Sequence, residues 1–181
     1  MYYVFLAEGF EEVEALAPID IMRRADIEVY TVGVGHKTVT GSHGIPVVAD
    51  VIDCEIGPDS DCEGIILPGG MPGTLNLEKA DTVQKFIDYC AENGKLLAAI
   101  CAAPSVLGHK GLLNGKKAVC FPGFEEQLQG AEVCSDAVVR DGNIITACGA
   151  GAAMKFGFEI VGYIQNEASA KHIRDAMLCD R

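Results

Sequence analysis

Short, almost wholly apolar segments alternate with longer amphipathic ones along this chain, and this alternation limits the possible folds more than any other feature. Apolar segments of this length, bounded by glycine and turn residues, are typical of buried strands. The predicted strands span residues 2–7, 28–34, 64–67, 95–100, 119–121, 137–140 and 144–147. The predicted helices span residues 11–25, 75–93, 151–164 and 167–178, with a further helix after Cys101. Residues 38–40 and 46–49 are expected to form a small β-hairpin.

This order of elements predicts an α/β fold with a mostly parallel sheet and helices on both of its faces. The chain has 181 residues and contains no internal repeat or linker, so a single domain over residues 1–181 is expected. In open sheets of this class, ligands bind outside the carboxyl ends of the strands. The turn at residues 8–11, the Gly69-Gly70 turn and Cys101 all follow predicted strands, so one site is expected where they meet.

Charge and composition exclude several classes of function. The formal net charge is −12, which disfavours binding to nucleic acid or to anionic membrane surfaces. No apolar run reaches the length of a membrane span. The first residues lack the features of a signal peptide, so they are interpreted as the first strand and the expected location is the cytoplasm. The sequence completes neither the G-x-G-x-x-G motif nor the G-x-x-x-x-G-K-[ST] motif of nucleotide-binding proteins, and no cofactor is expected.

The eight cysteines are interpreted as reduced thiols, most of them packed as small hydrophobic side chains. No C-x-x-C pair occurs and no histidine stands at the spacing of a zinc site, so no metal is expected.

Cys101 differs from the other cysteines because it stands between a buried strand and the start of a helix. A reactive residue in a sharp strand-to-helix turn is the layout of a nucleophile elbow. There the helix dipole and free backbone N–H groups favour the thiolate over the thiol. The alternative is an inert buried cysteine, since buried thiols are common.

Glu14 is the second candidate. A helical wheel places it on the apolar face of the first predicted helix with Phe10, whereas Glu12 points the opposite way and is expected to be a solvated carboxylate. A buried carboxyl must be paired or protonated. Glu14 therefore either takes part in the chemistry of Cys101 or is a structural group bonded to a loop backbone.

Other candidate residues are weaker. Cys120 precedes Phe121 near the expected site and either acts as a resolving thiol for oxidised Cys101 or is packed in the core. His43, in the hairpin turn, either overhangs the site or faces water. The remaining histidines are interpreted as structural or solvated, because no fixed Cys–His spacing is present.

Three separated motifs together resemble the DJ-1/ThiJ/PfpI family, and the DJ-1 branch in particular. They are Gly9-Phe10-Glu11-Glu12-Val13-Glu14 with Pro18-Ile19-Asp20, Leu67-Pro68-Gly69-Gly70, and Ala98-Ala99-Ile100-Cys101-Ala102-Ala103-Pro104. The resemblance implies a flavodoxin-like three-layer sandwich and a homodimer. It implies that Cys101 is the nucleophile and Glu14 its carboxyl partner. Gly70 and Ala102, together with Gly69, would line the site with backbone N–H groups.

The resemblance also implies a choice of activities. One is cofactor-free conversion of methylglyoxal to lactate, or the related deglycation of glycated substrates, through Cys101 and Glu14. The alternative is a non-catalytic oxidative-stress sensor or chaperone that uses a Cys101 sulfinate. A peptidase activity is disfavoured because Ala102 replaces the histidine of the peptidase-like branch. A role in thiamine biosynthesis is a further, less favoured label.

Three departures from the family pattern alter the expected site. Phe121 stands where some members have a histidine, so that proton-transfer group is missing. His43 and Cys148 stand where close relatives have arginines, which removes fixed positive charge near the site.

For the Glu14–Cys101 pair itself, a protonated Glu14 would donate a hydrogen bond to a thiolate. We therefore expect a raised pKa for Glu14 and a lowered pKa for Cys101.

Overall fold

The computed structural model describes residues 1–179, and a seven-stranded sheet runs through its centre. The strands within these residues are β1 (Tyr2–Leu6), β2 (Val29–Gly33), β3 (Thr38–Thr40), β4 (Pro46–Val48), β5 (Val51–Ile52), β6 (Gly64–Leu67), β7 (Leu96–Ile100), β8 (Lys117–Ala118), β9 (Glu132–Val133), β10 (Val138–Asp141) and β11 (Ile144–Ala147). The α-helices are α1 (Glu12–Arg24), α2 (Gly73–Lys79), α3 (Asp81–Glu92), α4 (Pro104–His109), α5 (Ala153–Ile164) and α6 (Glu167–Ala176).

The order of strands in the main sheet is β10-β11-β7-β6-β1-β2-β5. All neighbours in this sheet are parallel except β10 and β11, which form an antiparallel edge. Strands β3 and β4 form the expected hairpin outside the sheet. The carboxyl ends of β1, β6 and β7 therefore lie side by side, and the turns that follow them meet at one edge.

Two apolar cores cover the two faces of the sheet, which confirms the predicted flavodoxin-like three-layer sandwich. The first core contains α1, α5 and α6, and the second contains α3 and α4. Helices α1 and α5 approach closely at Gly157, where a Cβ would lie 2.7 Å from the Cδ1 atom of Ile21. Within residues 1–179, no helix is long and apolar enough to cross a membrane.

Two predicted elements are wrong. The helix expected over residues 75–93 is broken at Ala80, whose backbone is extended, because its two halves pack in different directions. In α2, the Asn76 side chain donates to the Glu8 carbonyl at 2.8 Å, whereas in α3 the ring of Phe86 packs against Tyr3 and Phe5.

The strand expected over residues 119–121 is replaced by β8, which ends at Ala118 and pairs with β9 outside the main sheet. The following residues leave the strand because their N–H groups bind elsewhere. Val119 donates to the Thr146 hydroxyl at 3.0 Å, and Phe121 donates to the carbonyl of Cys101 at 2.8 Å. This segment therefore supports the candidate site instead of extending a strand.

Candidate active site

The backbone at Cys101 has the geometry of the predicted elbow. Strand β7 ends at Ile100, Cys101 has a φ of +65°, and α4 begins at Pro104. A positive φ costs a non-glycine residue about 1 kcal/mol or more, so it persists only where surrounding contacts impose it. Here the Cys101 N–H donates to the Ala147 carbonyl at 2.8 Å and the Cys101 carbonyl accepts the Phe121 N–H at 2.8 Å. The strained turn is therefore held from two sides.

The helix after Cys101 contributes less than the sequence indicates. It has six residues and begins three positions beyond the cysteine, so few aligned peptide dipoles act on the sulfur. The donors that favour the thiolate are instead the backbone N–H groups of Ala102 and Gly70. These N–H donors thus come from two loops, one after β7 and one after β6.

Glu14 is buried beside this thiol, as the helical wheel predicts. Its side chain is 1% exposed, its Oε2 atom accepts the Gly69 N–H at 2.9 Å, and its carboxyl is hydrogen-bonded to the Cys101 thiol. A Cβ at Gly69 would lie 2.6 Å from Glu14 Oε2 and 2.7 Å from the Cys101 Cβ. Glycine is required here because any side chain would separate the carboxyl from the thiol.

Burial raises the pKa of Glu14 to about 7, and the carboxylate of Glu11 adds to the rise, while the bonds from Cys101 and Gly69 oppose it. The predicted direction for Glu14 is confirmed. Near neutral pH this carboxyl is therefore poised between its two protonation states, as a group that exchanges protons must be.

For Cys101 the prediction is wrong. Burial, the charge of the Glu14 carboxylate and its hydrogen bond raise the pKa of the Cys101 thiol to about 12, against the lowering effect of the Ala102 and Gly70 N–H groups. The physical reason is that the two acids share one site, and a second negative charge there is unfavourable. Between about pH 7 and 12 the pair therefore holds a single proton.

The three backbone positions predicted to line the site have different roles. The Gly69 N–H is bound to Glu14, so it positions the carboxyl and is not free to hold a substrate oxygen. Gly70 has a φ of +89°, and a Cβ there would lie 2.4 Å from the backbone nitrogen of Glu11. Its N–H and that of Ala102 remain directed at the sulfur.

Glu12 is not the solvated carboxylate that the helical wheel indicates. Its side chain is buried because the turn between β3 and β4 folds over the start of α1. Its Oε1 atom accepts the His43 N–H at 2.9 Å and the Ile45 N–H at 3.3 Å, and these bonds hold its pKa below the usual range. Sequence reasoning missed this role because it depends on a contact between segments about thirty residues apart.

His43 is exposed and pairs with acids instead of covering Cys101. Its Nδ1 atom lies 3.1 Å from Glu12 Oε2 and 3.4 Å from Glu11 Oε1. Within residues 1–179, these three side chains are the one group whose potential ligand atoms all lie within 4.8 Å of one another. Both oxygens of Glu12 already accept hydrogen bonds from the turn, so the arrangement requires no ion.

Phe121, Cys120 and Cys148 line a groove of about 790 Å³ next to the elbow. The ring of Phe121 is 47% exposed and packs close to Gly149. Cys120 belongs to the second core, whereas Cys101 packs against the first. Burial raises the pKa of the Cys120 thiol to about 11. These placements do not favour Cys120 as a partner for the sulfur of Cys101.

Comparisons with known proteins agree with the motifs. A sequence model described as the DJ-1/PfpI family matches residues 2–162. Protein dj-1beta of Drosophila melanogaster is 32% identical over 178 residues, which cover 97% of this chain and 95% of that protein. Deglycase PH1704 of Pyrococcus horikoshii is 32% identical over 152 residues, covering 81% of this chain and 89% of that protein. The structure of oxidized Toxoplasma gondii DJ-1 superposes with a TM-score of 0.93 at 32% identity, covering 98% and 97% of the two chains.

Proposed function

Because the chain belongs to the DJ-1/PfpI family, we propose that it is a cofactor-free enzyme that acts on reactive aldehydes through Cys101 and Glu14. The observation that carries this proposal is that the buried Glu14 carboxyl lies beside Cys101, with Glu14 Oε2 and the Cys101 Cβ both within 2.7 Å of the position that a Cβ at Gly69 would occupy. A relative of similar length is named a deglycase, which is the same class of chemistry. Methylglyoxal is a small aldehyde whose conversion to lactate would use both groups.

The raised pKa of Cys101 defines the first step. The thiol does not ionise beforehand; the Glu14 carboxylate takes its proton as the sulfur adds to the aldehyde carbon. A C–S bond forms, the carbonyl π bond becomes a C–O single bond, and Glu14 passes the proton on to the new oxygen. The product is a neutral hemithioacetal, and the Glu14 carboxylate is restored for the next step. The carboxylate is available for this step because the pKa of Glu14 lies at about 7.

The second step moves a proton between adjacent carbons of the bound substrate. Glu14 takes the hydrogen from the former aldehyde carbon and returns a proton to the former ketone carbon. The first carbon is oxidised and the second is reduced, so no external oxidant or cofactor takes part. Water then cleaves the resulting thioester to lactate and restores the thiol.

Backbone N–H groups complete the site. Those of Gly70 and Ala102 face the sulfur, so they are placed to stabilise the oxygen that becomes negative when the sulfur adds. The Gly69 N–H has a different task, since it keeps the Glu14 carboxyl turned toward the thiol. The fixed turn at Cys101 holds both sets of groups in place before substrate arrives.

The test is lactate formation from methylglyoxal by the purified protein. We expect turnover by the wild type and loss of turnover in Cys101→Ser, with Cys54→Ser as a matched control because Cys54 is exposed and does not line the groove next to the elbow. No lactate from the wild type would overturn the proposal. If peroxide then gave a sulfinate confined to Cys101, the protein would act as an oxidation sensor instead.

We propose in addition that the chain forms a homodimer. The outer face of α1 and the β3–β4 hairpin expose apolar side chains, with Val13, Ile45 and Val48 each more than half exposed. Covering such a face is favourable because it removes apolar area from water. Light scattering on the wild type and on Val48→Glu tests this: a wild-type monomer would overturn it.

A further inference from the structure

Two other cysteines meet at the edge of the sheet opposite Cys101. Cys62 lies two residues before β6, and Cys90 lies in the last turn of α3. Their Sγ atoms are 3.9 Å apart in a thiol–thiol hydrogen bond, and both side chains are 0% exposed. Among residues 1–179 this is the only hydrogen bond between two cysteines. The pair makes no contribution to the proposed aldehyde chemistry.

We propose that Cys62 and Cys90 form a second redox site, at which a peroxide converts the two thiols into a disulfide independently of Cys101. Disulfide formation needs sulfurs that can approach to about 2.0 Å. The observed separation of the two Sγ atoms is 3.9 Å, so rotation of the two side chains is the movement we expect to bring the sulfurs together.

The surroundings distinguish the two sulfurs. The two thiols share a hydrogen bond in which either sulfur can be the donor, whereas the Gly64 N–H donates to Cys62 and the Met1 ammonium lies near it. These groups lower the pKa of Cys62, whereas the bond to Cys62 and burial raise the pKa of Cys90. Cys62 is therefore the sulfur that reacts first, and Cys90 is the resolving thiol.

The chemistry balances with peroxide as the oxidant. The Cys62 thiolate attacks one peroxide oxygen, the O–O bond breaks, and a sulfenic acid and hydroxide are formed. The Cys90 sulfur then attacks the Cys62 sulfur, the S–O bond breaks, and hydroxide leaves and is protonated to water. Two thiols lose two hydrogens in total, and one peroxide becomes two waters.

Access to the buried pair requires only a local movement. Asp61 and Glu63, on either side of Cys62, are exposed, and the whole stretch from Asp59 to Glu63 lies at the surface apart from Cys62 itself. Opening of such a surface segment costs less than global unfolding. Once closed, the cross-link ties this segment to α3 and stabilises the fold by restricting the unfolded chain.

The test is peptide mapping after graded treatment with hydrogen peroxide, with the remaining thiols alkylated in denaturant. We expect one cross-linked peptide pair containing Cys62 and Cys90, an intact mass lower by two hydrogens, and reversal by dithiothreitol. The thermal midpoint of the cross-linked protein should rise. Cys101→Ser and Cys120→Ala should keep the cross-link, whereas Cys62→Ala and Cys90→Ala should lose it.

Two results would overturn the proposal. The first is that Cys62 and Cys90 of the wild type are both still alkylated after a peroxide dose that fully oxidises Cys101. The second is a cross-link that joins either residue to a different cysteine. Both are read from wild-type protein, so they hold even if an alanine variant fails to fold. Loss of lactate formation in any variant bears on the aldehyde proposal alone.

Discussion

Two thiol sites lie at opposite ends of the adjacent parallel strands β6 and β7, and they differ in the partner that each sulfur faces. At the carboxyl edge, Cys101 contacts the carboxyl of Glu14 and is partly exposed. At the amino edge, Cys62 contacts the thiol of Cys90 and both are buried. A carboxyl partner can accept a proton but cannot form a bond to sulfur, whereas a thiol partner can. A sulfur beside a carboxyl suits the proposed addition to an aldehyde carbon, whereas a sulfur beside a second thiol suits the proposed disulfide.

The backbone differs between the two sites as well. Cys101 occupies a strained turn with a positive φ, held by bonds to two neighbouring segments. Neither Cys62 nor Cys90 has a positive φ. Strain of this kind is retained where a side chain must be presented to a ligand. If the two sites are independent, a change at one should leave the other unaltered.

The largest expected effect is the difference in activity toward methylglyoxal between a variant of Cys101 and a variant of Cys90. Cys101→Ser should lower kcat/KM for methylglyoxal by roughly 1000-fold or more, because a hydroxyl in the same turn is a far weaker nucleophile. Cys90→Ala should stay within about twofold of the wild type, since Cys90 lies at the other edge of the sheet. Steady-state lactate assays check both values. A comparable loss in the two variants would show that the sites are coupled.

Replacing Glu14, the proposed proton acceptor, should give the next largest effect. Glu14→Gln should lower kcat/KM by about 100-fold to 10,000-fold, the usual contribution of a positioned acid or base. In the wild type, activity should rise with pH through about 7, because Glu14 must be ionised to accept the thiol proton. This step should be absent in Glu14→Gln.

The control for that variant is Glu12→Gln, which changes a buried carboxylate two positions away that is bound to the hairpin turn. It should keep the rise of activity through pH 7. A rise that persists in Glu14→Gln, or disappears in Glu12→Gln, would assign the proton acceptor to a different group.

The sequence was sufficient for those parts of the molecule that depend on local pattern. The parallel sheet, the hairpin, the elbow at Cys101 and the inward direction of Glu14 all follow from periodicity and from the strand–Cys–helix order. The burial of Glu12 and the raised pKa of Cys101 did not follow, because both depend on contacts between distant segments. The Cys62–Cys90 contact was missed for the same reason, since no spacing rule joins a loop cysteine to one at a helix end.

The buried carboxyl of Glu14 should also make the free energy of unfolding depend on pH, which is a smaller effect. The pKa of Glu14 is raised in the folded protein from about 4.5 to about 7, so the folded state binds this proton more tightly than the unfolded chain. Stability is therefore greatest below the unfolded pKa and falls as pH rises toward 7. Between pH 5.5 and 8 the loss due to Glu14 should be about 2 kcal/mol.

Urea unfolding of the wild type and of Glu14→Gln at these two pH values isolates that contribution, because other titrating groups cancel in the difference. The wild type should lose stability relative to Glu14→Gln as pH rises. Parallel curves for the two proteins would mean that Glu14 is not desolvated in the way the fold indicates.

The smallest effect concerns the thiol pair under reducing conditions. Cys90→Ala removes a buried sulfur from the core formed with Phe86 and Ile87, and it removes the thiol that shares a hydrogen bond with Cys62. The loss of packing should lower the free energy of unfolding by about 1 kcal/mol. Cys134→Ala, which changes a partly exposed cysteine, should stay within about 0.5 kcal/mol. Urea unfolding in the presence of dithiothreitol measures both. If the two variants were equally stable, the Cys62–Cys90 contact would add nothing to the reduced fold, and its role would rest on oxidation alone.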